Sequence, residues 1–523
     1  MLGSLTMWSN RTREQSSHVL QAALQAVPWW WDEAGLDEPA GRLEGTRSAD
    51  VCIVGGGFTG LWTALAVKER EPSLDIVLVE AEACGAGPSG RNGGFAHGYW
   101  ASLAELVPLL GRERAVQLAR AGERILPAVR ALPDDVWLRE GGLVMVSASA
   151  GQDAAIDDAV AAAREVGAEE QAQPLAADAV AERIRSPVFR RGVFFPDGGT
   201  VQPARLVRAL RRAALDAGIA LHERSPAVRI RNGAVTTSHG EVRAPEIVVA
   251  INAAATGWRP VARHVTNFGS YVVLTEPVPE LLREIGWTGG EAVLDGRMFL
   301  HYFRTTSDGR VLMGSGSGPI GFRGRLDERF TSDSATAERA EHGLRRLLPG
   351  LADARIERAW GGPIDVSADH LPFYGTVRGK RIHYGLGYSG HGVGPSWLGG
   401  QILASLALGL DDEWTALPLV TRRVPSLPPE PLKLLPLECG SDVNTRGPLQ
   451  ILSLYELNPD RFCKSITSFN QILDQHSSGR DQMRNVPFPR PPRGCPSRPK
   501  KNGVQMDEIK TEGIGSKRTR ERR

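Results

Sequence analysis

Three glycines and one glutamate are the first residues of this sequence whose types and spacing could do chemistry. They are Gly55, Gly57 and Gly60 in VCIVGGGFTGLWTAL, and Glu80 twenty residues further on, at the end of DIVLVE. Glycines at this spacing permit a tight turn and a close approach of backbone to a pyrophosphate. A helix opening after Gly57, through Phe58 and Thr59, would aim its N-terminal N–H groups at the phosphates. A carboxylate at Glu80, with Ala81 beside it, would accept hydrogen bonds from ribose hydroxyls and repel the 2′-phosphate of NADP. The set predicts a bound dinucleotide.

The same spacing occurs twice more, and 59 glycines in 523 residues make chance matches common. Gly316, Gly318 and Gly321 enclose Pro319 and are followed by FRGRLDERF, which has no apolar helical stripe. This match reads as a glycine-rich turn after a strand. Gly385, Gly387 and Gly390 lie between a strand, RIHYGLG, and a helix, WLGGQILASLALGL. No second strand with a terminal acid follows, so the third match is not a second nucleotide unit. That weakens any enzyme class that needs FAD and a separate NADPH fold.

The elements around the first match are those the chemistry requires. ADVCIVGGG is an apolar strand, LWTALAVKER has helical spacing and DIVLVE is a second apolar strand, a complete βαβ unit. ARLVRALRRAALDAG and SATAERAEHGLRRLLPG read as amphipathic helices, while GGLVMVSA, EIVVAINAA, SYVVLTEPV and HYFRTTSDGRVLMGSG read as strands. PWWWDEAG, with three adjacent tryptophans, reads as an anchor packed on the surface of the body. Apolar content of 41% and charged content of 23% are ordinary for a globular chain, and a net charge of +2 carries no nucleic-acid signature. The charge is uneven: residues 481–523 hold 12 Lys or Arg against 5 Asp or Glu, after a proline-rich stretch, and residues 424–523 read as a disordered basic tail. Five cysteines without a C-x-x-C pair suggest neither a disulfide framework nor a metal site. With no apolar signal segment and no membrane-length apolar run, the expected location is the cytoplasm.

The ordered set of motifs resembles a known family. After VCIVGGGFTGLWTAL and Glu80 come PSGRNGGF, GGTVQPARLVRALRRAALDAGI, EIVVAINAA, WGGPIDVSADHLPFYG and GYSGHGVGPSWLGG. Together they resemble the FAD-dependent amine and amino-acid oxidoreductases of the D-amino-acid oxidase group, nearest to its γ-glutamylputrescine oxidase-like branch, over roughly residues 25–425. The resemblance implies an α/β fold, with a Rossmann-like FAD-binding domain and an interleaved antiparallel-sheet substrate domain. The expected division is a leader (1–47), FAD-binding parts at 48–135, 199–262 and 355–423, and substrate parts at 136–198 and 263–354. It implies that Gly390, His391, Gly392 and Val393 meet the flavin ring. There, backbone N–H groups at a helix N-terminus would stabilise the negative charge of the reduced ring. It further implies that Ser89, Gly90, Arg91, Asn92, Gly93 and Gly94 line the flavin's other flank, that Gly361 lies near it, and that Ala227 and Val228 give a backbone contact to adenine. Relatives that tether the flavin do so through a cysteine aligned with WGGPIDVSADH. This stretch has none, so FAD is expected to be non-covalent, with His97 and His391 as secondary attachment points.

The implied reaction is oxidation of a C–N bond, with hydride passing to flavin N5, the imine hydrolysing and electrons going to O2 or another acceptor. The expected partners are therefore a small amine or amino acid and an electron acceptor, with no nucleic acid and no membrane span. Candidate substrate residues come from segments that would cover the open face of the ring: Tyr271, His301, Tyr302 and Arg304, with His391 on the loop and Arg91 near phosphate or ring. Arg304 could hold a substrate carboxylate bidentately; the alternative is a strand-edge salt bridge with Asp308. Arg91 could instead form a surface ion pair, Tyr271 and Tyr302 could be wall or core residues, and Asp369 reads as a turn residue. Competing functions are a dehydrogenase of the same fold, an NAD-dependent dehydrogenase using only the first motif, and a non-catalytic flavoprotein.

Overall fold

The computed structural model describes residues 27–35, 37–296, 301–316, 318–321 and 324–429. They belong to a compact unit assigned to Met1–Leu449. Most of the expected tail, from residue 430 on, and the leader up to residue 26 lie outside the described residues.

VCIV at Val51–Val54, IVLV at Ile76–Val79 and EIVV at Glu246–Val249 are buried at every position. Apolar runs without alternation suit strands covered on both faces. They sit in a six-stranded sheet in the order Phe373–Thr376, Ile382–Leu386, Glu246–Val249, Val51–Val54, Ile76–Val79, Ala220–His222. All pairings are parallel except that of the edge strand Phe373–Thr376. One face packs Val51, Ile53 and Leu78 against the helices Phe58–Arg70, Pro203–Asp216 and Pro395–Leu408. The other face packs Cys52, Val54 and Ile247 against Val235 and Val242 of a four-stranded sheet. A Cβ at Gly400 would come 2.6 Å from Trp62 Cβ, so glycine there lets the first and last of those helices touch. The parallel strands all end at one edge, and the segments leaving them carry Gly55, Glu80, Glu223, Ala250 and Gly387. In open α/β sheets this edge is where ligands bind.

The second large sheet has eight strands, in the order Ile356–Ser367, Val265–Thr275, Val311–Ser315, His301–Thr305, Ala292–Asp295, Leu143–Ser147, Arg191–Phe195, Gln173–Leu175. Register fixes its two faces. Tyr271, Ser315 and His301 share one row, and Val272, Gly314 and Tyr302 share the next. The face with Tyr271, Val273, Phe303 and Met313 is covered by the helix Ser334–Leu347 through Ala337, Ala340 and Leu344. The opposite face carries Val272, Leu274, Leu312 and Tyr302 into the core shared with the first sheet's helices.

The tryptophan segment is not a surface anchor. Trp29–Ala34 is a short helix whose Trp29, Trp30 and Trp31 are all buried, with Trp30 completely so. Among the described residues no helix is long and apolar enough to cross a membrane, and no group of three His, Cys, Asp or Glu could hold a metal ion.

Candidate functional site

The first glycine turn is built by exclusion. Gly55 has φ +110°, and a Cβ on it would run into the Ala250 carbonyl; a Cβ on Gly60 would run into the carbonyl of Gly55. A Cβ on Gly57 would come 2.8 Å from Ser89 Oγ, which accepts the Phe58 N–H at 3.0 Å. Ser89 thus sits at the helix start beside Phe58 and Thr59. Glu80 accepts the Gly56 N–H at 2.6 Å and the Glu82 N–H at 3.1 Å. Burial pushes its carboxyl pKa up while those amides pull it down. Each carboxylate oxygen keeps a further lone pair for a ribose hydroxyl. Beyond Glu80, whose carbonyl accepts Ser225 N–H at 2.7 Å, Ala227 opens a strand; Val228 is turned to solvent, 66% exposed. Ala81 is exposed beside them.

The loop Gly90–Gly94 is fixed from inside and outside. Asn92 Oδ1 accepts the Gly94 N–H at 2.8 Å, and its amide donates to the carbonyls of Ser89 (2.8 Å) and Pro88 (3.1 Å). Arg91 donates through Nε to the Ala86 carbonyl (2.9 Å) and through Nη1 to the Gly361 carbonyl (3.2 Å), joining the loop to the strand Ile356–Ser367. Gly361 contributes that carbonyl, while a Cβ on it would strike the Tyr271 ring; Gly362 is the glycine that lies against Arg91.

The late glycine loop leaves its strand at the same sheet edge as the first. Its backbone is unusual: Gly387 (φ +84°), Ser389 (φ +53°) and Gly390 (φ +89°) are all left-handed, as is neighbouring Asn252 (φ +42°). Asp365 holds them. Its carboxylate accepts the N–H groups of Gly387 and Tyr388 (3.2 Å) and the side-chain amide of Asn252 (2.9 Å). Burial pushes its pKa up to about 6. The His391 N–H is taken by the Tyr388 carbonyl at 2.9 Å, whereas the N–H groups of Gly392 and Val393 have no acceptor among the described residues. They immediately precede the helix Pro395–Leu408. His391 stacks on His97 with ring centroids 4.0 Å apart, and its Nε2 lies 3.2 Å from the His97 carbonyl, a bond that only a protonated nitrogen can donate. Burial lowers both imidazoles, His97 to about 4, so both are neutral at neutral pH.

The larger sheet supplies the facing wall, and here the candidates separate. Tyr302 turns toward the loop. Its hydroxyl bonds Ser270 Oγ at 2.9 Å, its ring meets Phe95 edge-on at 5.5 Å, and a Cβ on Gly93 would come 2.9 Å from it. Arg304 lies on the same face, 2% exposed, with its guanidinium 5.1 Å from the Trp30 ring and Nη1 3.3 Å from where a Cβ on Gly94 would be. It makes no hydrogen bond or ion pair among the described residues, and its Nε is buried without an acceptor. Asp308 instead pairs with Arg310 at 2.7 Å. Burial, reinforced by Arg139, pushes the Arg304 pKa down to about 9. Tyr271 and His301 face the other way: Tyr271 donates to the Arg329 carbonyl at 2.6 Å within the core, and His301 lies against Asp295. Asp369 pairs with Arg422 and accepts the Leu371 N–H at 3.3 Å. The second glycine match is a loop laid on the strand Val265–Thr275, with Gly318 N–H bonded to the Gly269 carbonyl at 3.0 Å.

Sequence reasoning missed Asp365, Asn252, Trp30 and Trp360. An acid two residues after a proline in an apolar strand, in WGGPIDVS, was the one local sign of Asp365.

Comparison with known proteins agrees with this geometry. The probable oxidoreductase OrdL of Rhizobium meliloti is 31% identical over 419 residues, covering 76% of this chain and 92% of the relative. The γ-glutamylputrescine oxidoreductase of Escherichia coli is 29% identical over 382 residues, covering 71% and 86%. The crystal structure of glycine oxidase from Geobacillus kaustophilus matches with a TM-score of 0.59 at 23% identity, over 72% of this chain and all of that one, a likeness of fold. The family model for the FAD-dependent oxidoreductases called DAO matches residues 50–406. With two glycine turns at one sheet edge and a second sheet facing them, this chain belongs to the DAO family of FAD-dependent oxidoreductases.

Proposed function

We propose that this protein oxidises a small amine or amino acid at its C–N bond, using FAD held without a covalent link. The observation that carries the reading is the pair of glycine turns at one edge of the parallel sheet. The first admits no side chain at Gly55, Gly57 or Gly60, and the later one carries the acceptor-free N–H groups of Gly392 and Val393. The residues present fit the cofactor: Gly55, Gly57, Phe58, Thr59 and Gly60 would take the pyrophosphate, Glu80 the ribose, Ala227 the adenine, and Gly390 to Val393 with Asn92 to Gly94 the ring. Bound there, FAD would supply the two-electron oxidation, with hydride taken up at N5, an imine product that hydrolyses in water, and O2 as final acceptor giving hydrogen peroxide.

The chain's own residues bind and orient. Arg304 is a buried cation with no carboxylate partner, which suits a substrate that brings its own carboxylate. Tyr302, tied to Ser270, forms the wall beside it. Tyr271 supports the strand under Gly361 from the far face. The neutral His97–His391 stack shapes the loop and adds no positive charge to it. On this reading the parallel-sheet segments form the FAD-binding domain and the eight-stranded sheet the substrate domain. The absence of cysteine from WGGPIDVSADH supports non-covalent attachment, and the two described cysteines, both unbridged, suit a reducing cytoplasm.

Purified protein should show flavin absorption bands that pass wholly into the supernatant on acid precipitation. Amino acids and carboxylate-bearing amines should bleach the bands without air, and O2 should restore them with peroxide release. Colour without reduction by any amine would point to a non-catalytic flavoprotein, slow reoxidation by O2 to a dehydrogenase, and no flavin even after adding FAD to the NAD-dependent alternative.

A further inference from the structure

The three tryptophans of PWWWDEAG have no part in the chemistry so far, yet one of them reaches the loop beside the expected ring. The indole N–H of Trp30 donates to the carbonyl of Asn92 at 2.9 Å. The indole N–H of Trp360, on the strand Ile356–Ser367, donates to the carbonyl of Arg91 at 2.8 Å. The two indoles meet edge-to-face, 5.8 Å apart at 77°, and both are buried. Two consecutive carbonyls of the loop are therefore gripped from outside by two aromatic N–H groups whose own positions are set by each other.

A trans peptide plane carries its N–H opposite its C=O. Turning the carbonyls of Arg91 and Asn92 toward the tryptophans thus turns the N–H groups of Asn92 and Gly93 away from them. Neither N–H has an acceptor among the described residues, although Gly93 is buried. Buried backbone donors are almost always paired, so the unpaired N–H of buried Gly93, beside that of half-buried Asn92, calls for an acceptor from outside the chain. The Asn92 side chain, bonded to Ser89, Pro88 and Gly94, prevents the loop from flipping to hide them.

We propose that Trp30 and Trp360 are positioning residues that hold the N–H groups of Asn92 and Gly93 toward an electron-rich atom of the flavin ring, and so tune the ring's readiness to take up charge. The proposal rests on FAD occupying this crevice. The tryptophans act through the loop and touch neither ring nor substrate. Trp31, on the same helix, serves as an internal control. Its ring lies 2.6 Å from where a Cβ on Gly90 would be, so it packs on the loop without holding a loop carbonyl.

The test uses the full-length holoprotein with Trp30→Phe, Trp360→Phe, the double variant and Trp31→Phe. Phenylalanine keeps an aromatic face and deletes the N–H. Titration with sulfite, a nucleophile that reports electron deficiency at the ring, and the flavin's reduction potential are read beside FAD affinity and the unfolding midpoint. Trp30→Phe and Trp360→Phe should each retain FAD but weaken sulfite binding about tenfold and lower the potential, as expected for disturbing one hydrogen bond to a charged group. The double variant should lose less than the product of the two, because either release frees the same loop; Trp31→Phe should leave both readouts unchanged. Unchanged sulfite affinity and potential in both single variants overturn the proposal. So does loss of FAD together with sulfite affinity, which would make the tryptophans props of the whole site. A wild-type protein that binds no FAD would defeat the functional reading itself, a separate result visible before any variant is made.

Discussion

Arg304→Met should make the protein more stable and a worse catalyst, and the size of each effect follows from the burial of one unpaired charge. Arg304 is 2% exposed, its guanidinium hydrogen-bonds to nothing among the described residues, and its pKa is pushed from the ordinary arginine value down to about 9 by burial and by Arg139. At neutral pH the group is protonated in both folded and unfolded chains, so the whole burial cost opposes folding, on the order of 5 kcal/mol. The sign is that of a base depressed by folding: the cost applies fully below pH 9 and declines only as pH rises above 9 toward the ordinary arginine value. Methionine fills similar space without charge and gives up a cation–π contact with Trp30 of about 0.5–2 kcal/mol. A net gain of a few kcal/mol should appear as a higher unfolding midpoint in urea. Catalysis should move the other way. A carboxylate left in that space without its cation loses about 3–5 kcal/mol. At about 1.4 kcal/mol per tenfold, kcat/KM should fall between about 100-fold and a few thousand-fold. The assay compares a carboxylate-bearing amine with the same amine as its uncharged amide. The wild type should prefer the acid and the variant should not, with the amide's kcat/KM nearly unchanged by the substitution. Equal losses on acid and amide, or a lower unfolding midpoint, would refute the reasoning.

Three further outcomes test the cofactor side. Glu80→Gln replaces a carboxylate that accepts from both Gly56 and Glu82 by a group with a single acceptor oxygen; FAD affinity, read by fluorescence quenching, should fall by roughly 10- to 100-fold, or about 1–3 kcal/mol. Gly60→Ala puts a methyl into the Gly55 carbonyl and should cost about 1–3 kcal/mol of stability, with much weaker FAD binding because the turn itself must open. His97→Gln should flatten the acid limb of stability. Folding depresses this imidazole to about 4, so the unfolded chain binds the extra proton between pH 6.5 and 4. Wild-type stability then falls with pH across that window by about 1.4 kcal/mol per pH unit from this group, a slope the variant should lack in midpoints measured from pH 4 to 7.

The first turn was legible because everything it needs is local: a strand, three glycines, a helix start and an acid at the end of the next strand all lie within Val51–Glu80. The late loop could be placed only through its likeness to a family, since its strand joins the parallel sheet beside Glu246–Val249, more than 130 residues upstream. The wall was harder. Alternation along HYFRT separates Tyr302 and Arg304 from His301, but which set faces the loop depends on pairing with Val311–Ser315 and Val265–Thr275. Tyr271 was read toward the site and lies one row off. The tryptophans defeated local reading for the same reason: Trp30 bonds a carbonyl 62 positions away, and Trp360 one 269 positions away. A residue's burial and partners at such separations leave no periodic trace.

The parallel sheet also fixes the order in which the molecule can be made. Val51–Val54 pairs with Glu246–Val249, which in turn pairs with Ile382–Leu386. At about 5–20 residues per second, a ribosome takes roughly 15 s to a minute to pass from the first of these strands to the last. Throughout that interval the growing chain carries a hydrophobic strand with one neighbour not yet synthesised, first Val51–Val54 and then Glu246–Val249, the condition in which edge pairing with other chains is most damaging. The two glycine turns lie at opposite ends of this wait. A cofactor that needs both is loaded only after the strand Ile382–Leu386 is in place, so its supply should govern how much protein matures and leave the early steps of folding untouched.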